Sequence, residues 1–274
     1  MRVGIHLPQY GRVASADAIT TAARAAEDLG FADVWISDHI VHPAEQDYPS
    51  PYLYDPIVTL TWAAASTERI GLGTSVLVVP SHVPLELANQ LASIDSLSGG
   101  RLTVAAGVGW SEREFDALGH GFHDRGARMD EMIDAMRLVW SEDPATFEGD
   151  HVSFRDIRVL PKPAHPIPIW IGGMSERALR RGVEKGDGHQ IIGVKPPEAA
   201  KAVERLRRDR PEESFTISLR TGWDPQGMEP DEIRAEADAF AEAGVQHVVS
   251  APWRNDLDSW LRSMELLAEL VVER

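Results

Sequence analysis

Residues 70–107 read IGLGTSVLVVPSHVPLELANQLASIDSLSGGRLTVAAG, and this stretch decides the fold. A short apolar, β-branched run at 70–79 reads as a buried strand. A helix-period segment follows at 84–97 and stops at Gly99-Gly100, where a left-handed helix end is expected. A second apolar run, LTVAA, then begins at 102. Strand, helix, strand is the signature of a parallel crossover unit.

Working outward, the same alternation fills the chain. Strands are expected at 3–7, 33–37, 102–106, 167–171, 189–193, 214–220 and 245–250, besides 70–79. Helices are expected at 16–29, 56–67, 84–97, 125–141, 175–185, 197–209, 230–243 and 256–272. Gly30 and Gly244 punctuate helix ends, and Pro56 and Pro230 sit where a first helical turn accepts proline. Eight units in strict order predict an α/β fold, a (β/α)8 TIM barrel. The 274 residues match the ~250 of one such barrel, so the whole of 1–274 is read as a single domain. Two segments exceed the minimal barrel and read as insertions. One is 40–54, after strand two; the other is 142–166, before strand five, with a hairpin expected to turn at Gly149-Asp150.

Lys and Arg number 27 against 43 Asp and Glu, a net charge of −16 that disfavours nucleic acid as a partner. The absence of cysteine excludes disulfides, thiolate catalysis and Cys-bound zinc. No apolar run is long enough for a membrane span and the start does not read as a signal peptide, so a cytoplasmic location is expected. His120, His123 and His151 lack metal-ligand spacing, and strand one carries His6-Leu7-Pro8 instead of a metal-binding His-x-His, so no metal site is expected. His6 and His247 read as core residues, with lining of the barrel mouth as the alternative, and Trp35, Trp62, Trp140 and Trp170 as core or rim packing.

A TIM barrel places its chemistry at the C-terminal ends of the strands. That rule selects Pro8-Gln9, Ser37-Asp38-His39, Thr74-Ser75-Val76, Gly107-Val108-Gly109-Trp110 and Gly172-Gly173-Met174-Ser175. Asp38-His39 is the sharpest candidate for catalysis. An imidazole can move a proton near neutral pH, and an adjacent carboxylate can hold a ring N–H. The alternative is a hydrogen-bonded loop pair. Gly172 to Ser175 reads as an anion site, where glycines admit a phosphate to the N-terminus of the next helix. Its alternative is a tight turn capped by Ser175.

Taken in order, these pieces resemble the luciferase-like monooxygenase superfamily, above all its coenzyme F420-dependent branch. The resemblance runs through GIHLP from Gly4, GFADVWISDH from Gly30, GTSV from Gly73, LSGGRL from Leu97, GVGW from Gly107, RGARMDE from Arg125 and PIWIGG from Pro168. It implies a TIM barrel with the cofactor across its mouth and a non-prolyl cis peptide at Ser75-Val76. It also implies a phosphate end on Gly172, Gly173, Met174 and Ser175, and a ring contacted by Asp38, Ser75, Val76, Gly107, Val108 and Gly109. His39 would face the reactive ring carbon. One departure matters. The sugar-phosphate dehydrogenases of this branch carry glutamate where this chain has Trp110, which argues against glucose 6-phosphate and for a flatter, more apolar substrate. The expected activity is hydride transfer between F420 and a small organic substrate. The alternatives are an FMN-dependent two-component monooxygenase using reduced flavin and O2, and a non-catalytic flavin-binding barrel. A homodimer is expected, and a flavin or F420 reductase is a candidate partner.

Overall fold

The computed structural model describes residues 1–46 and 50–272. Eight parallel strands close into a barrel: β1 (Arg2–His6), β2 (Asp33–Ile36), β3 (Gly71–Val78), β4 (Leu102–Gly107), β7 (Ile169–Gly172), β8 (Gly188–Ile192), β9 (Thr216–Thr221) and β10 (His247–Ser250). Closure is made by β1 on β10, with Ile5 opposite Ser250. The helices follow in turn: α1 (Ala16–Asp28), α2 (Pro56–Ser66), α3 (Pro84–Ser98), α5 (Arg125–Ser141), α6 (Glu176–Lys185), α7 (Pro196–Asp209), α8 (Pro230–Glu242) and α9 (Leu257–Leu267). This is the expected TIM barrel, with its eight alternating units.

Both insertions fall where expected. The antiparallel pair β5 (Ala145–Glu148) and β6 (Ser153–Ile157) turns through residues 149–152, closed by Gly149 N–H donating to Val152 O at 2.9 Å. The described part of 40–54 is irregular and touches strand one's exit by a bridge between Tyr10 and Leu53; residues 47–49 lie outside the described residues. One element was not expected: a short helix, α4 (Glu112–Ala117), between β4 and α5. Six residues are too few to show a helical period.

The helix ends follow local chemistry. Ser15 Oγ accepts from Ala18 N–H at 3.0 Å to start α1, and Pro56 and Pro230 occupy first turns. Inside the barrel, Trp35 and Trp170 stack at 5.5 Å with His247 against both rings. Gly73 and Gly188 make this possible, because a Cβ on either would lie 2.5 Å from a tryptophan carbon. Trp62 departs from the packing expectation: it is about half exposed on α2, one turn from exposed Val58.

From the tryptophan layer a buried polar column runs to the mouth. Asp33 accepts from Trp35 Nε1 and pairs with His247 Nε2 at 2.8 Å. His247 Nδ1 meets Ser218 Oγ at 2.8 Å, and Ser218 accepts from Gln190, whose oxygen accepts from Ser75 Oγ at 2.7 Å. Burial holds polar groups in place only when they are paired, and here each member has a partner. The column ends on Ser75, at the barrel mouth.

Candidate active site

At the mouth lies a cavity of about 330 Å³. Its floor is a bulge in β3: the register against β4 shifts between Ser75 and Leu77, and the Ser75-Val76 peptide is cis. Val76 is wedged between two neighbouring strands at Gly107 and Gly172. A Cβ on Gly107 would stand 2.5 Å from Val76 Cγ2, and one on Gly172 would stand 2.4 Å from Val76 Cγ1. These glycines therefore admit a valine, and the valine presents an apolar surface to the cavity.

The structure brings most of the sequence candidates together here. Asp38, His39, Ser75, Val76, Gly107, Val108, Gly109 and Gly172 all line the cavity, with Tyr10, Leu53, Trp110 and Arg220 completing the wall. Gly173, Met174 and Ser175 run on from Gly172 into the start of α6. Gly173 has φ +123°, a conformation that side chains disfavour, and its carbonyl accepts from His189 Nε2 at 2.7 Å. Ser175 Oγ accepts from Ala178 N–H at 3.2 Å, so the capping reading describes Ser175 as it stands. Arg177 follows, exposed on the first turn.

Asp38 and His39 are adjacent in sequence but point to different partners. Both follow β2 directly, in the loop after Ile36. Asp38 is 2% exposed; its Oδ2 accepts from Val78 N–H at 2.8 Å and pairs with His82 Nε2 at 2.8 Å, while Oδ1 is buried with no partner. The ring that Asp38 holds is thus His82, not His39. Burial alone lowers the pKa of His82, but the Asp38 carboxylate and its hydrogen bond more than offset this, and the net shift is upward.

His39 turns the other way. Its Nδ1 lies 2.8 Å from Glu114 Oε2, and the described residues offer Nε2 no hydrogen-bond partner. Glu114 is 4% exposed and its Oε1 accepts from Ile40 N–H at 2.8 Å and Val41 N–H at 3.4 Å. Trp110 meets the His39 ring edge-on at 5.6 Å. Sequence reasoning missed Glu114 because it sits on α4, 75 positions from its partner. A signal existed: Ser111-x-x-Glu114 is the capping-box pattern, and Ser111 Oγ does accept from Glu114 N–H at 3.4 Å. The carboxylate, however, goes to the histidine loop.

One further residue, Arg220, was missed; Gln9, which the strand-end rule names, and His6 also shape the mouth. Gln9 is buried and clips the loop after β2, donating to Ser37 O at 2.8 Å and Tyr54 O at 3.3 Å. Arg220, at the end of β9, donates to the Ser75 carbonyl and lies over Trp253. His6, expected in the core, is fully buried there, with Nδ1–H donating to Leu7 O at 2.9 Å and Nε2 2.9 Å from Ser37 Oγ. Burial, then the nearby Arg220 charge, pulls its pKa down to about 3. A larger cavity, about 690 Å³, lies at the opposite face among Arg2, Arg137 and residues 163–168. It is remote from the strand C-termini, where barrel chemistry resides. Among the described residues no cluster of His, Asp and Glu could hold a metal ion.

A family model for luciferase-like monooxygenases matches residues 1–255. The chain belongs to that family. It is a luciferase-like oxidoreductase. An uncharacterised protein of Mycobacterium tuberculosis is 30% identical over 272 residues, covering 92% of this chain and 93% of that protein. An F420-dependent glucose-6-phosphate dehydrogenase of Intrasporangium calvum is 28% identical over 246 residues, covering 83% of this chain and 72% of the relative. Two solved structures share the fold. An F420-dependent secondary alcohol dehydrogenase, bound to an F420-acetone adduct, superposes with a TM-score of 0.84 at 18% identity, over 99% of this chain and 98% of that one. A type II Baeyer-Villiger monooxygenase of Pseudomonas putida, bound to FMN, gives 0.78 at 16% identity, over 100% and 98%.

Proposed function

We propose that this oxidoreductase transfers hydride between coenzyme F420 and a flat, largely apolar organic substrate, with His39 as the acid–base residue. The observation that carries this reading is the pose of His39. Its Nδ1 is clamped to buried Glu114, and its ring lines the same cavity as the Val76 bulge. The F420-dependent relative from Intrasporangium calvum supports the choice of cofactor.

The residues present fit such a group. Val76, flanked by glycines that a Cβ would fill, gives a flat ring an apolar backing. Asp38 Oδ1, buried and unpartnered, is an acceptor that a cofactor donor would satisfy. Gly173, Met174, Ser175 and Arg177 would hold an anionic tail at the α6 N-terminus, where helix dipole and cation act together. When bound, the deazaflavin supplies the ring carbon that gives or takes hydride. His39 Nε2 would give or take the substrate proton, the role of a general acid or base. Trp110, Tyr10 and Leu53 exclude water and set an apolar substrate plane. Trp110 stands where the sugar-phosphate enzymes of this branch carry a carboxylate, so glucose 6-phosphate is not the substrate under this reading.

The FMN-bound neighbour favours one second reading, a two-component monooxygenase supplied with reduced flavin by a reductase. Titrating the purified protein with F420 and with FMN, then assaying turnover with F420H2 or with FMNH2 and O2, separates the two. Tighter F420 binding with F420-linked turnover is expected; tighter FMN binding with O2 consumption refutes the proposal. We further propose that residues 1–274 act as one domain in the cytoplasm and that a second copy docks on α2, whose exposed Val58 and Trp62 form an apolar row. Among the described residues no helix is long and apolar enough to cross a membrane. Trp62→Glu should yield a monomer by light scattering; an unchanged mass contradicts that docking.

A further inference from the structure

We propose that Glu114 is the positioning residue that fixes the His39 tautomer, keeping the proton on Nδ1 and the Nε2 lone pair toward the cavity. The inference rests on the acid–base role given to His39 above. An ionised carboxylate only accepts hydrogen bonds. Its Oε2 lies 2.8 Å from Nδ1, so Nδ1 is the protonated nitrogen. Its Oε1 is engaged by Ile40 and Val41 N–H, which ties the same carboxylate to the backbone that carries the imidazole. Two functions therefore converge on one buried side chain: ring orientation and proton placement. The groups around it are consistent. His42 lies 5.4 Å from the His39 ring, and its pKa is lowered, first by burial and then by His39. The Asp38–His82 pair lies on the β3 side and makes no bond to His39.

The conservative variant separates placement from packing. In Glu114→Gln the amide oxygen can still accept from Ile40 and Val41 N–H. The amide NH2 then faces Nδ1, which must accept, and the imidazole proton moves to Nε2. A base with its lone pair turned away cannot take the substrate proton. Long-range proton–nitrogen NMR of the cofactor-free protein should show His39 protonated on Nδ1 in the wild type and on Nε2 in Glu114→Gln. With F420, kcat should fall ~100-fold or more while the cofactor dissociation constant changes less than ~3-fold. Thermal melting of both proteins checks that the variant folds. A wild-type His39 protonated on Nε2, or a folded Glu114→Gln with unchanged tautomer or unchanged kcat, overturns the proposal. If the wild type turns over with neither cofactor, the functional reading fails, and the NMR result alone still decides what Glu114 does.

Discussion

His189 and His6 make acid the weakness of this barrel. His189 sits on β8, buried behind the Gly173 turn; burial, opposed only in part by its bond to the Gly173 carbonyl, lowers its pKa to about 4 from 6.5. His6 is held at about 3. A lowered histidine pKa means that the unfolded chain binds the proton first. The stability these residues contribute is complete above pH 6.5 and is lost as pH falls, down to about 4 for His189 and about 3 for His6. Within that window each histidine adds a slope of about 1.4 kcal/mol per pH unit. Integrated, this is on the order of 3 kcal/mol for His189 and 5 kcal/mol for His6. Those values are comparable with the ~5–15 kcal/mol that holds a domain folded. Urea unfolding followed from about pH 7 to about pH 5 should show the loss. His189→Gln can still donate to the Gly173 carbonyl but does not titrate. It should be less stable than wild type near neutrality and lose about 2 kcal/mol less over that interval. Equal pH slopes in the two proteins would falsify the assignment of His189 as a neutral buried group.

Three other perturbations test the mouth. Gly172→Ala places a Cβ 2.4 Å from Val76 Cγ1, so it should cost ~1–3 kcal/mol by overpacking and weaken cofactor binding by displacing the bulge; unchanged values in urea melts and titration contradict the wedge. His39→Ala should lower turnover ~100-fold or more with a much smaller change in cofactor affinity, and full activity in steady-state assays removes His39 from the chemistry. Asp38→Asn should weaken cofactor binding more than it lowers kcat, because Asp38 pins Val78 and His82 and does not touch His39; the reverse ranking in titration and kinetics counts against this division.

The barrel was legible because its signals are local and repeated: apolar runs, helical periods, and Gly or Pro at the joints. The site was legible only as a set of strand ends. Asp38 and His39 looked like a pair because they are adjacent, yet the fold sends them to His82 and Glu114. Gly107 read as room for a ring and Gly172 as a close approach to phosphate, and in the structure both also make room for Val76. Neither set of contacts could be seen in a linear chain, since they join residues that only closure of the barrel brings together. Gly173 illustrates the same limit. An aspartate there reads as a clean charge test of a phosphate site, but φ +123° means that any side chain also strains the turn. Arg177, exposed on the next helical turn, is the better probe.

The two buried carboxylates at the mouth differ in what remains unsatisfied. Glu114 has both oxygens engaged, one by a ring N–H and one by two backbone N–H groups. It needs nothing from a ligand, so its work is to hold His39 in one state throughout. Asp38 has Oδ2 doubly engaged and Oδ1 buried without a partner. A buried acceptor left unpaired costs ~1–3 kcal/mol, a cost that a bound donor removes. Asp38 is thus the carboxylate that a bound donor would satisfy, beside the bulge, and Glu114 the one already satisfied, behind the imidazole. Under the proposals above, binding falls to one carboxylate and proton placement to the other. It also predicts opposite pH signs: the raised pKa of His82 stabilises the Asp38 pair below pH 6.5 and fades as pH rises, whereas His6 and His189 stabilise the fold above it.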